Sequence, residues 1–394
     1  MKFPSLITAA IQVLSSTARC TKYSQLLADS VIARNTPLGK SGTGAVLMSY
    51  EHGVMERALQ MVYNATGNDT YYTYLKTGVD NLISPTGTLL DYNLTYYTLD
   101  DIRLGPEFLY LYLRTGQAKY KTAAETLRLQ IRSQPRNEEG GMWHRSTYRN
   151  QMWLDGQYMT LPFYAQWTQL FDAKNGSGWA DIVLQFSLLE AHVRNGTTGL
   201  LKHGYDEGKS AAWADPVTGS APLVWDRALG WYLMALVDVL DYLPRQCADF
   251  EVLRGYFVRA AAAVKAAVDP KTGAWWLVMS QEYAGASGNY IESSGSAMFV
   301  YAFLKGVRLG YLPREEYLPV AKKAYEYLVG NCVVDRGNGV YDWEGTVQVG
   351  SLGSNGDYAY YISVPKRTND LKGIGPFIYA SIEFEMLDYE RAMG

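Results

Sequence analysis

The chain contains three groups of residues whose types and spacing suit acid–base chemistry. The densest is Trp143–Met159, where Asp155 opens an apolar helical pattern in the company of His144, Arg145 and Trp153. An aspartate at this position is common as a helix N-cap, which stabilises a helix by about 1 kcal/mol. Neighbouring indoles would instead desolvate the carboxyl group, raise its pKa and allow it to donate a proton near neutral pH. The residues alone leave both interpretations open.

The second group is the acidic pair Asp100-Asp101, which precedes another apolar helical pattern beginning at Ile102. One of the two carboxylates could cap this helix, and the other would then be available for chemistry. A carboxylate close to Asp155 would raise the affinity of Asp155 for a proton. Neither member of the pair is favoured by the sequence itself.

The third group combines His203, Trp213, Arg227 and Trp231. Arg227 and Trp231 are four residues apart and therefore share one face of a helix. An arginine beside a tryptophan suits a carboxylated sugar, because the guanidinium binds the carboxylate and the indole stacks on the ring. Two alternatives remain open: Arg227 could lie over a core tryptophan, and His203 could be a structural residue.

A repeated pair of helices would position these residues. Apolar helical stretches open near six residues, Tyr50, Asp100, Asp155, Arg227, Glu292 and Lys372. Each of the first five is followed after a short turn by a second helical stretch. The second stretches cover roughly 69–83, 117–134, 178–194, 248–268 and 313–330, and a helix at 22–34 is available to complete the sixth pair. Such units stack, because one pair cannot bury its apolar face alone. The pattern predicts an all-α (α/α)6 barrel whose inner helices all begin at one face. Two stacked α-bundles are the alternative.

Short turns separate the two helices of a pair. Gly67 and Gly116 fit the left-handed C-cap position of a helix. Extended segments are expected only in loops at the face where the inner helices begin, at Gly140–Trp143, Ala274–Met279 and Tyr341–Gly350.

Composition limits the class of protein. The 394 residues are 48% hydrophobic and 19% charged, with no linker-like segment, which indicates one domain over residues 21–394. The net charge of −3 argues against a nucleic-acid binder, and no apolar stretch is long enough to span a membrane. The 32 Tyr and 10 Trp residues suit a sugar-binding cleft. A monomer is expected.

Histidine and cysteine are scarce, with four and three residues respectively. Their spacing matches neither a zinc motif nor a disulfide framework, so no metal and no other cofactor is expected. Pairing of Cys247 with Cys332 is left open by the sequence.

The N-terminus resembles a secretory signal. Residues 1–20 combine Lys2, a short apolar run and small residues ending at Ala18, which predicts a signal peptide. Five N-glycosylation sequons fall in expected turns or helix ends, at Asn64, Asn68, Asn93, Asn175 and Asn195. Together these features predict a secreted, extracellular glycoprotein.

Several motifs resemble those of the unsaturated rhamnogalacturonyl hydrolases of glycoside hydrolase family 105, which is related to the unsaturated glucuronyl hydrolases of family 88. The similarity extends from about Tyr50 to Glu383, and its most specific segments are Gln151–Met159, Trp225–Trp231, Glu292–Met298, Tyr360-Tyr361 and Asn369–Phe377. The resemblance implies an (α/α)6 barrel, in agreement with the helix pairs.

The resemblance also implies residue roles. Asp155 matches the general acid/base, and Asp100 matches the second active-site aspartate, with Asp101 as the alternative. The expected substrate-binding residues are those that match or accompany the family's sugar-binding positions: Tyr50, His144, Arg145, Trp153, His203, Trp213, Arg227 and Trp231. Asp226 departs from the small residue usual there and could dilute the positive potential at Arg227.

The reaction implied is hydration of a vinyl ether. A protonated Asp155 would protonate C4 of a 4,5-unsaturated galacturonyl unit, and the Asp155 carboxylate would then activate the water that adds at C5. The sugar would be released from rhamnose in pectin fragments produced by lyases. Three alternatives are an unsaturated glucuronyl hydrolase acting on glycosaminoglycans, an inverting glycosidase using Asp100 with Asp155, and a non-catalytic sugar-binding toroid.

Overall fold

The computed structural model describes residues 22–174 and 176–393, with side chains described as far as Leu387. Its helices are α1 Tyr23–Ala33, α2 Tyr50–Thr66, α3 Asp69–Leu82, α4 Gly105–Thr115, α5 Ala118–Ser133, α6 Leu154–Phe171, α7 Gly176–Val193, α8 Asp226–Val239, α9 Ala248–Ala266, α10 Ser293–Arg308, α11 Arg314–Cys332, α12 Tyr358–Ser363 and α13 Leu371–Met393. Short 3-10 helices lie at Leu94–Tyr96, Leu99–Leu104 and Gln281–Tyr283.

The inner helices form a closed ring. Each packs against the next in the order α2, α4 with its preceding 3-10 helix, α6, α8, α10 and α13, and α13 packs back on α2. Outside them lie α3, α5, α7, α9 and α11, and α1 packs on α13 as the sixth outer helix. The predicted (α/α)6 barrel is therefore confirmed, including closure of the ring by the N-terminal helix.

Inner and outer helices differ in how much of their surface is apolar. Every residue of α8 is buried, and in α10 only Arg308 is not. The outer helix α5 buries one face, with Tyr120, Ala124, Leu127 and Ile131 inside and Glu125 and Arg132 exposed. A helix surrounded by other helices must be apolar all round, whereas an outer helix needs only one apolar stripe.

The two ends of the barrel use different glycine turns. Gly67 and Gly116 end α2 and α4 with φ of 68° and 69°, as the sequence predicted. At the opposite end, the outer helices α1, α3, α5, α7 and α9 are each followed by a tight turn that contains a left-handed glycine, respectively Gly44, Gly87, Gly140, Gly199 and Gly273. Each of these glycine N–H groups donates to a carbonyl three or four residues earlier. This second repeat was not anticipated from the sequence.

Strands are few and short. β1 Gln151–Trp153 pairs antiparallel with β2 Gly204–Asp206, and β3 Val333–Asp335 with β4 Tyr341–Trp343. Of the expected extended segments, only Tyr341–Gly350 contains a strand. Gly140–Trp143 and Ala274–Met279 contain isolated bridges, in each of which one residue pairs with one residue of another segment.

The remaining sequence predictions concern the N-terminal segment, the cysteines, metal ligands and membrane spans. The predicted signal peptide, Cys20 and the sequon residue Asn175 lie outside the described residues. Within the described part of the chain, Cys247 and Cys332 are free, so they do not pair. Residues 22–174 and 176–393 contain no cluster of three potential metal ligands, and no helix in these ranges is long and apolar enough to cross a membrane.

Candidate active site

Asp155 lies in the first turn of α6, beside His203. The N-cap of α6 is Trp153, so the interpretation of Asp155 as the cap is wrong. Trp153 is paired with Gly204 at the end of the β1–β2 ladder, and the Leu154 N–H donates to the His203 carbonyl at 3.0 Å. This pairing brings the Asp155 Oδ2 atom to 3.0 Å from Nε2 of His203. Two short strands thus join residues 48 positions apart in the sequence.

The environment of Asp155 corrects the expectation for its proton affinity. Burial by itself raises the pKa of Asp155, but the attraction and hydrogen bond of His203 and the attraction of His144 outweigh burial and leave this pKa lowered. The sequence suggested a raised pKa because it showed the neighbouring indoles and not the nearby imidazoles. The free site therefore favours an Asp155 carboxylate beside His203.

His144 connects Asp155 to a second acidic residue. Its Nε2 lies 3.7 Å from Oδ1 of Asp100, whose Oδ2 accepts a 2.9 Å hydrogen bond from Arg145. Burial lowers the pKa of the His144 imidazole, although Asp100 and Asp155 oppose this effect. Asp100 and Asp155 thus both act on one buried histidine, as the toroid predicted for residues at the starts of neighbouring inner helices.

Asp101 has different surroundings from Asp100. One of Asp100 and Asp101 was predicted to cap the following helix. The N-cap is instead Thr98, whose hydroxyl accepts a 3.3 Å hydrogen bond from the Asp100 N–H. Burial and the adjacent Asp100 charge raise the pKa of Asp101 to about 7. The contacts with His144 and Arg145 belong to Asp100. The geometry therefore favours Asp100 as the second acidic residue of the site.

Aromatic rings form one wall of the site. Trp153 stacks on His144 with 4.3 Å between ring centroids and on Tyr148 at 4.5 Å. Trp213 packs behind Trp153 in a small apolar cluster with Leu352. Trp213 is buried to the same extent as Trp153, so both indoles are packed within the wall of the site.

Arg227 does not occupy the position expected for a ligand of the sugar carboxylate. Its side chain is 1% exposed and donates to the Val347 and Gln348 carbonyls and to Glu292 and the hydroxyl of Ser294. These contacts use its donors to anchor the segment that follows β4. Because these donors are engaged within the protein, the geometry favours a structural role for Arg227 over binding of the uronate carboxylate.

The neighbouring Asp226 does not act as predicted either. Its carboxyl is fully buried at the start of α8, and burial together with Glu292 raises the pKa of Asp226 well above its usual range. The neutral form is therefore favoured, and a neutral Asp226 does not dilute the positive charge of Arg227. The Oδ2 atom of Asp226 lies 2.3 Å from the position that a Cβ on residue 295 would occupy, so Gly295 leaves the room that this carboxyl needs.

Trp231 belongs to the core of the barrel. It is 1% exposed and stacks on Tyr158 with 5.1 Å between ring centroids. The aromatic partner of Arg227 is Trp225, at 5.2 Å, and not Trp231. Helical spacing and the family resemblance were the reasons for expecting Trp231 in the sugar site, but α8 is buried on every face.

Tyr50, at the start of α2, is half-buried and lies within the electrostatic range of Asp100 and Arg227. Burial, followed by the charge of Glu51 and of Asp100, raises the pKa of Tyr50 well above its ordinary value. Its phenol therefore keeps its proton and can donate to a sugar hydroxyl or carboxylate.

Tyr361, in α12, was not expected among the site residues. Its hydroxyl lies 2.6 Å from Nδ1 of His203, on the side of the ring opposite Asp155. Trp225 contacts both rings, at 4.9 Å from His203 and 5.8 Å from Tyr361. The only signal in the sequence was the match of Tyr360-Tyr361 to a family motif, because 158 residues separate Tyr361 from His203.

Comparison with known proteins identifies the family and the fold. The family model described as Glycosyl Hydrolase Family 88 matches residues 23–388. A solved glycoside hydrolase of family 105 from C. acetobutylicum ATCC 824 is 37% identical, with a TM-score of 0.88 over 93% of this chain and 100% of that one. The structure of the unsaturated glucuronyl hydrolase from Bacillus sp. GL1 is 15% identical with a TM-score of 0.63, over 92% and 95% of the two chains, and shows the common fold.

Two curated protein sequences are also similar to this chain. The 24.9 kDa protein in picA locus of Rhizobium radiobacter is 38% identical over 52% of this chain and 91% of its own length. The unsaturated rhamnogalacturonyl hydrolase YesR of Bacillus subtilis is 23% identical over 65% of this chain and 70% of its own length. These matches confirm the resemblance to families 105 and 88. The chain belongs to glycosyl hydrolase family 88, within its group of six-hairpin unsaturated glycuronyl hydrolases.

Proposed function

We propose that the protein hydrolyses oligosaccharides that end in a 4,5-unsaturated galacturonyl unit linked to rhamnose, the fragments that lyases release from rhamnogalacturonan. The observation that carries the proposal is the pairing of Asp155 with the buried His203, together with the His144–Asp100 contact, at the end of the barrel where the inner helices begin. The similarity to YesR supports rhamnose as the neighbouring sugar.

In the proposed reaction, Asp155 acts first as an acid and then as a base. Its proton passes to C4 of the sugar, the electrons of the C4=C5 double bond form the new C–H bond, and the positive charge at C5 is shared with the ring oxygen. The Asp155 carboxylate then accepts a proton from the water that adds at C5. The resulting hemiketal opens and releases the neighbouring sugar as an alcohol. One water molecule is consumed.

Arg145 is the residue best suited to bind the uronate carboxylate. Its side chain is 39% exposed, whereas that of Arg227 is 1% exposed, and it already bonds the Asp100 carboxylate. A guanidinium can bind two carboxylates because it has five N–H donors. Tyr50 supplies a further donor in the same region.

An ultraviolet assay on unsaturated galacturonyl-rhamnose tests the proposal, because hydration removes the absorbance of the C4=C5 bond. We expect wild type to consume the chromophore and Asp155→Asn to be folded and inactive. Asp69→Asn is the matched control, since Asp69 also lies in the first turn of a helix but is exposed on α3. Turnover by Asp155→Asn would refute the mechanism.

The alternatives predict other outcomes. Activity confined to unsaturated glucuronyl substrates would favour the glycosaminoglycan alternative. Release of saturated sugars from intact glycans would favour an inverting glycosidase that uses Asp100 and Asp155. Saturable sugar binding without turnover would indicate the non-catalytic toroid.

We also propose that the protein is secreted and N-glycosylated. Supporting this, Asn64, Asn68 and Asn93 are exposed, and the side-chain oxygens of Asn68, Asn93 and Asn195 accept from the backbone N–H two residues later, which leaves the amide nitrogen free. Protein collected from the medium of the native host should lose mass on enzymatic deglycosylation. An unchanged mass would rule out glycosylation.

A further inference from the structure

A buried tyrosine controls the second nitrogen of the active-site histidine. Tyr361 Oη and His203 Nδ1 are 2.6 Å apart, and both side chains are almost wholly inaccessible to solvent. The other ring nitrogen, Nε2, is 3.0 Å from Asp155. His203 therefore has a single hydrogen-bonding partner on each side, with no access of bulk water to either nitrogen.

The protonation of His203 follows from its partners. An ionised Asp155 can only accept hydrogen bonds, so Nε2 of His203 must carry a proton when it faces this carboxylate. In a neutral imidazole Nδ1 is then an acceptor, and the Tyr361 hydroxyl donates to it. Burial and the nearby Asp155 charge hold the pKa of Tyr361 well above its usual value, so the phenol keeps this proton.

The same hydroxyl can satisfy Nδ1 after the histidine gains a second proton. The Nδ1–H of an imidazolium would donate to the oxygen of Tyr361, because a phenol is both a donor and an acceptor. Tyr361 is thus suited to both states of the ring. A phenylalanine would leave Nδ1 without a partner, and a buried N–H of a charged ring without an acceptor is costly.

We infer that His203 and Asp155 hold the catalytic proton jointly, and that Tyr361 is a positioning residue that determines how readily the pair takes it up. This inference rests on the proposed function. It accounts for how Asp155, which favours its ionised form in the free site, becomes an acid. The proton resides on His203, facing Asp155, until the substrate receives it.

The proton transfers balance over one cycle. In the active form His203 is an imidazolium and Asp155 a carboxylate. The Nε2 proton moves to Oδ2 of Asp155, and from there to C4 of the substrate, whose double-bond electrons form the C–H bond. Water adds its oxygen to C5 and returns one proton to Asp155. The pair then again holds the two protons with which it began.

The remaining charged and titratable groups around the pair are few. His144 interacts electrostatically with Asp155 and His203, and its Nε2 lies 3.7 Å from Asp100, which in turn binds Arg145. Besides burial and Asp155, Tyr360 raises the pKa of Tyr361. Burial lowers the pKa of His144, so the neutral form of this ring is favoured.

Tyr361→Phe is the decisive variant, and Tyr360→Phe is its matched control. Tyr360 is adjacent on α12, but its hydroxyl accepts from the Ser351 N–H and not from the site. We expect the alkaline limb of the kcat/KM profile of Tyr361→Phe to move to lower pH by about one unit, a tenfold change in proton affinity. The control should keep the wild-type profile. A uniform loss of activity without this shift, or equal profiles for both variants, would overturn the inference.

A second measurement does not depend on turnover. The side-chain nitrogens of His203 can be followed by NMR in uniformly 15N-labelled protein without substrate, with the signal assigned through a His203→Gln variant. We expect the Nδ1 signal of His203 to move in Tyr361→Phe, because this nitrogen loses its hydroxyl partner, and to remain in place in Tyr360→Phe. If the NMR shift is observed but no unsaturated sugar is consumed by wild type, the proposed function fails while the coupling stands. An unchanged Nδ1 signal would refute the coupling whatever the substrate.

Discussion

At the scale of single residues, two arginines with the same charge have opposite surroundings. Arg145 is 39% exposed and pairs with Asp100, while Arg227 is enclosed by Glu292 and two backbone carbonyls. Burial of a charge is tolerated only when hydrogen bonds compensate for its lost hydration. Arg227 is therefore expected to stabilise the fold, and Arg145 to bind substrate.

The two arginines should respond differently to substitution by alanine. Arg227→Ala leaves Glu292 buried without its cation and should reduce the free energy of unfolding by about 3–5 kcal/mol. Arg145→Ala should leave stability almost unchanged but raise KM at least about tenfold, since a hydrogen bond to a charged group contributes roughly 1.5–3 kcal/mol. Urea unfolding and steady-state kinetics measure the two effects. An Arg227→Ala protein of wild-type stability with a raised KM would restore the original assignment of Arg227.

Asp226 should make stability depend on pH. Because its pKa is raised in the folded state, its contribution to stability is complete below the ordinary aspartate range and is lost as pH rises towards the folded-state pKa. Asp226→Asn removes this titration while keeping the shape of the neutral group. Wild type should therefore lose stability relative to the variant as pH increases, measured by urea unfolding from acidic to mildly alkaline pH. Parallel curves would show that Asp226 is ionised throughout.

At the scale of elements, a three-residue strand pair determines the distance between the two central side chains. Trp153 faces Gly204 across the ladder. Asp155 follows Trp153 by two residues, and His203 directly precedes Gly204. A Cβ at Gly204 would lie 2.8 Å from Leu352 Cδ1 and 2.9 Å from the Met152 carbonyl. Glycine is needed here because the strands and the segment near Leu352 approach too closely for a side chain.

Gly204→Ala should therefore affect both stability and catalysis. The added methyl group must displace a backbone carbonyl, which typically costs about 1–3 kcal/mol and would move His203 away from Asp155. The control is Gly330→Ala in α11, where no atom lies within 4 Å of the new Cβ. This change should be neutral or stabilise by up to about 1 kcal/mol. Thermal unfolding and the ultraviolet assay measure the effects. Wild-type kcat in Gly204→Ala would show that the ladder does not set the site.

At the scale of the whole molecule, ring closure makes the first and last helices depend on each other. The backbone N–H and hydroxyl of Ser24 in α1 donate to Glu385 in α13, and Leu27 and Val31 are fully buried. α13 in turn packs on α2 and α10. Because the inner ring is continuous, weakening α1 should weaken the closure of the entire barrel.

Leu27→Ala tests this dependence. A cavity at a wholly buried leucine should cost about 2–5 kcal/mol, whereas Leu129→Ala, at a residue 53% exposed, should cost little. Hydrogen exchange should show α13 and α2 losing protection together with α1 in Leu27→Ala. If α1 alone became unprotected, it would be an independent appendage and not part of the ring.

Most of the architecture could be predicted from periodicity. The apolar pattern and the C-cap glycines at Gly67 and Gly116 are local properties of the chain, so the helix pairs and their order could be inferred. The toroid followed, because repeated units with one unburied face must stack on one another. The short strands β1 and β2 could not be inferred, since three residues carry no period.

The candidate site was only partly predictable. The sequence by itself determined which residue types stand at the starts of the inner helices, and hence that Asp100 and Asp155 face one end of the barrel. Only the tertiary structure decided that Arg227 and Trp231 are buried, that Asp155 meets His203, and that Tyr361 completes the pair. The physical reason is that burial, ionisation and hydrogen-bond partners depend on contacts between distant segments. Spacing along one helix specifies a face of that helix, but it does not specify what packs against that face.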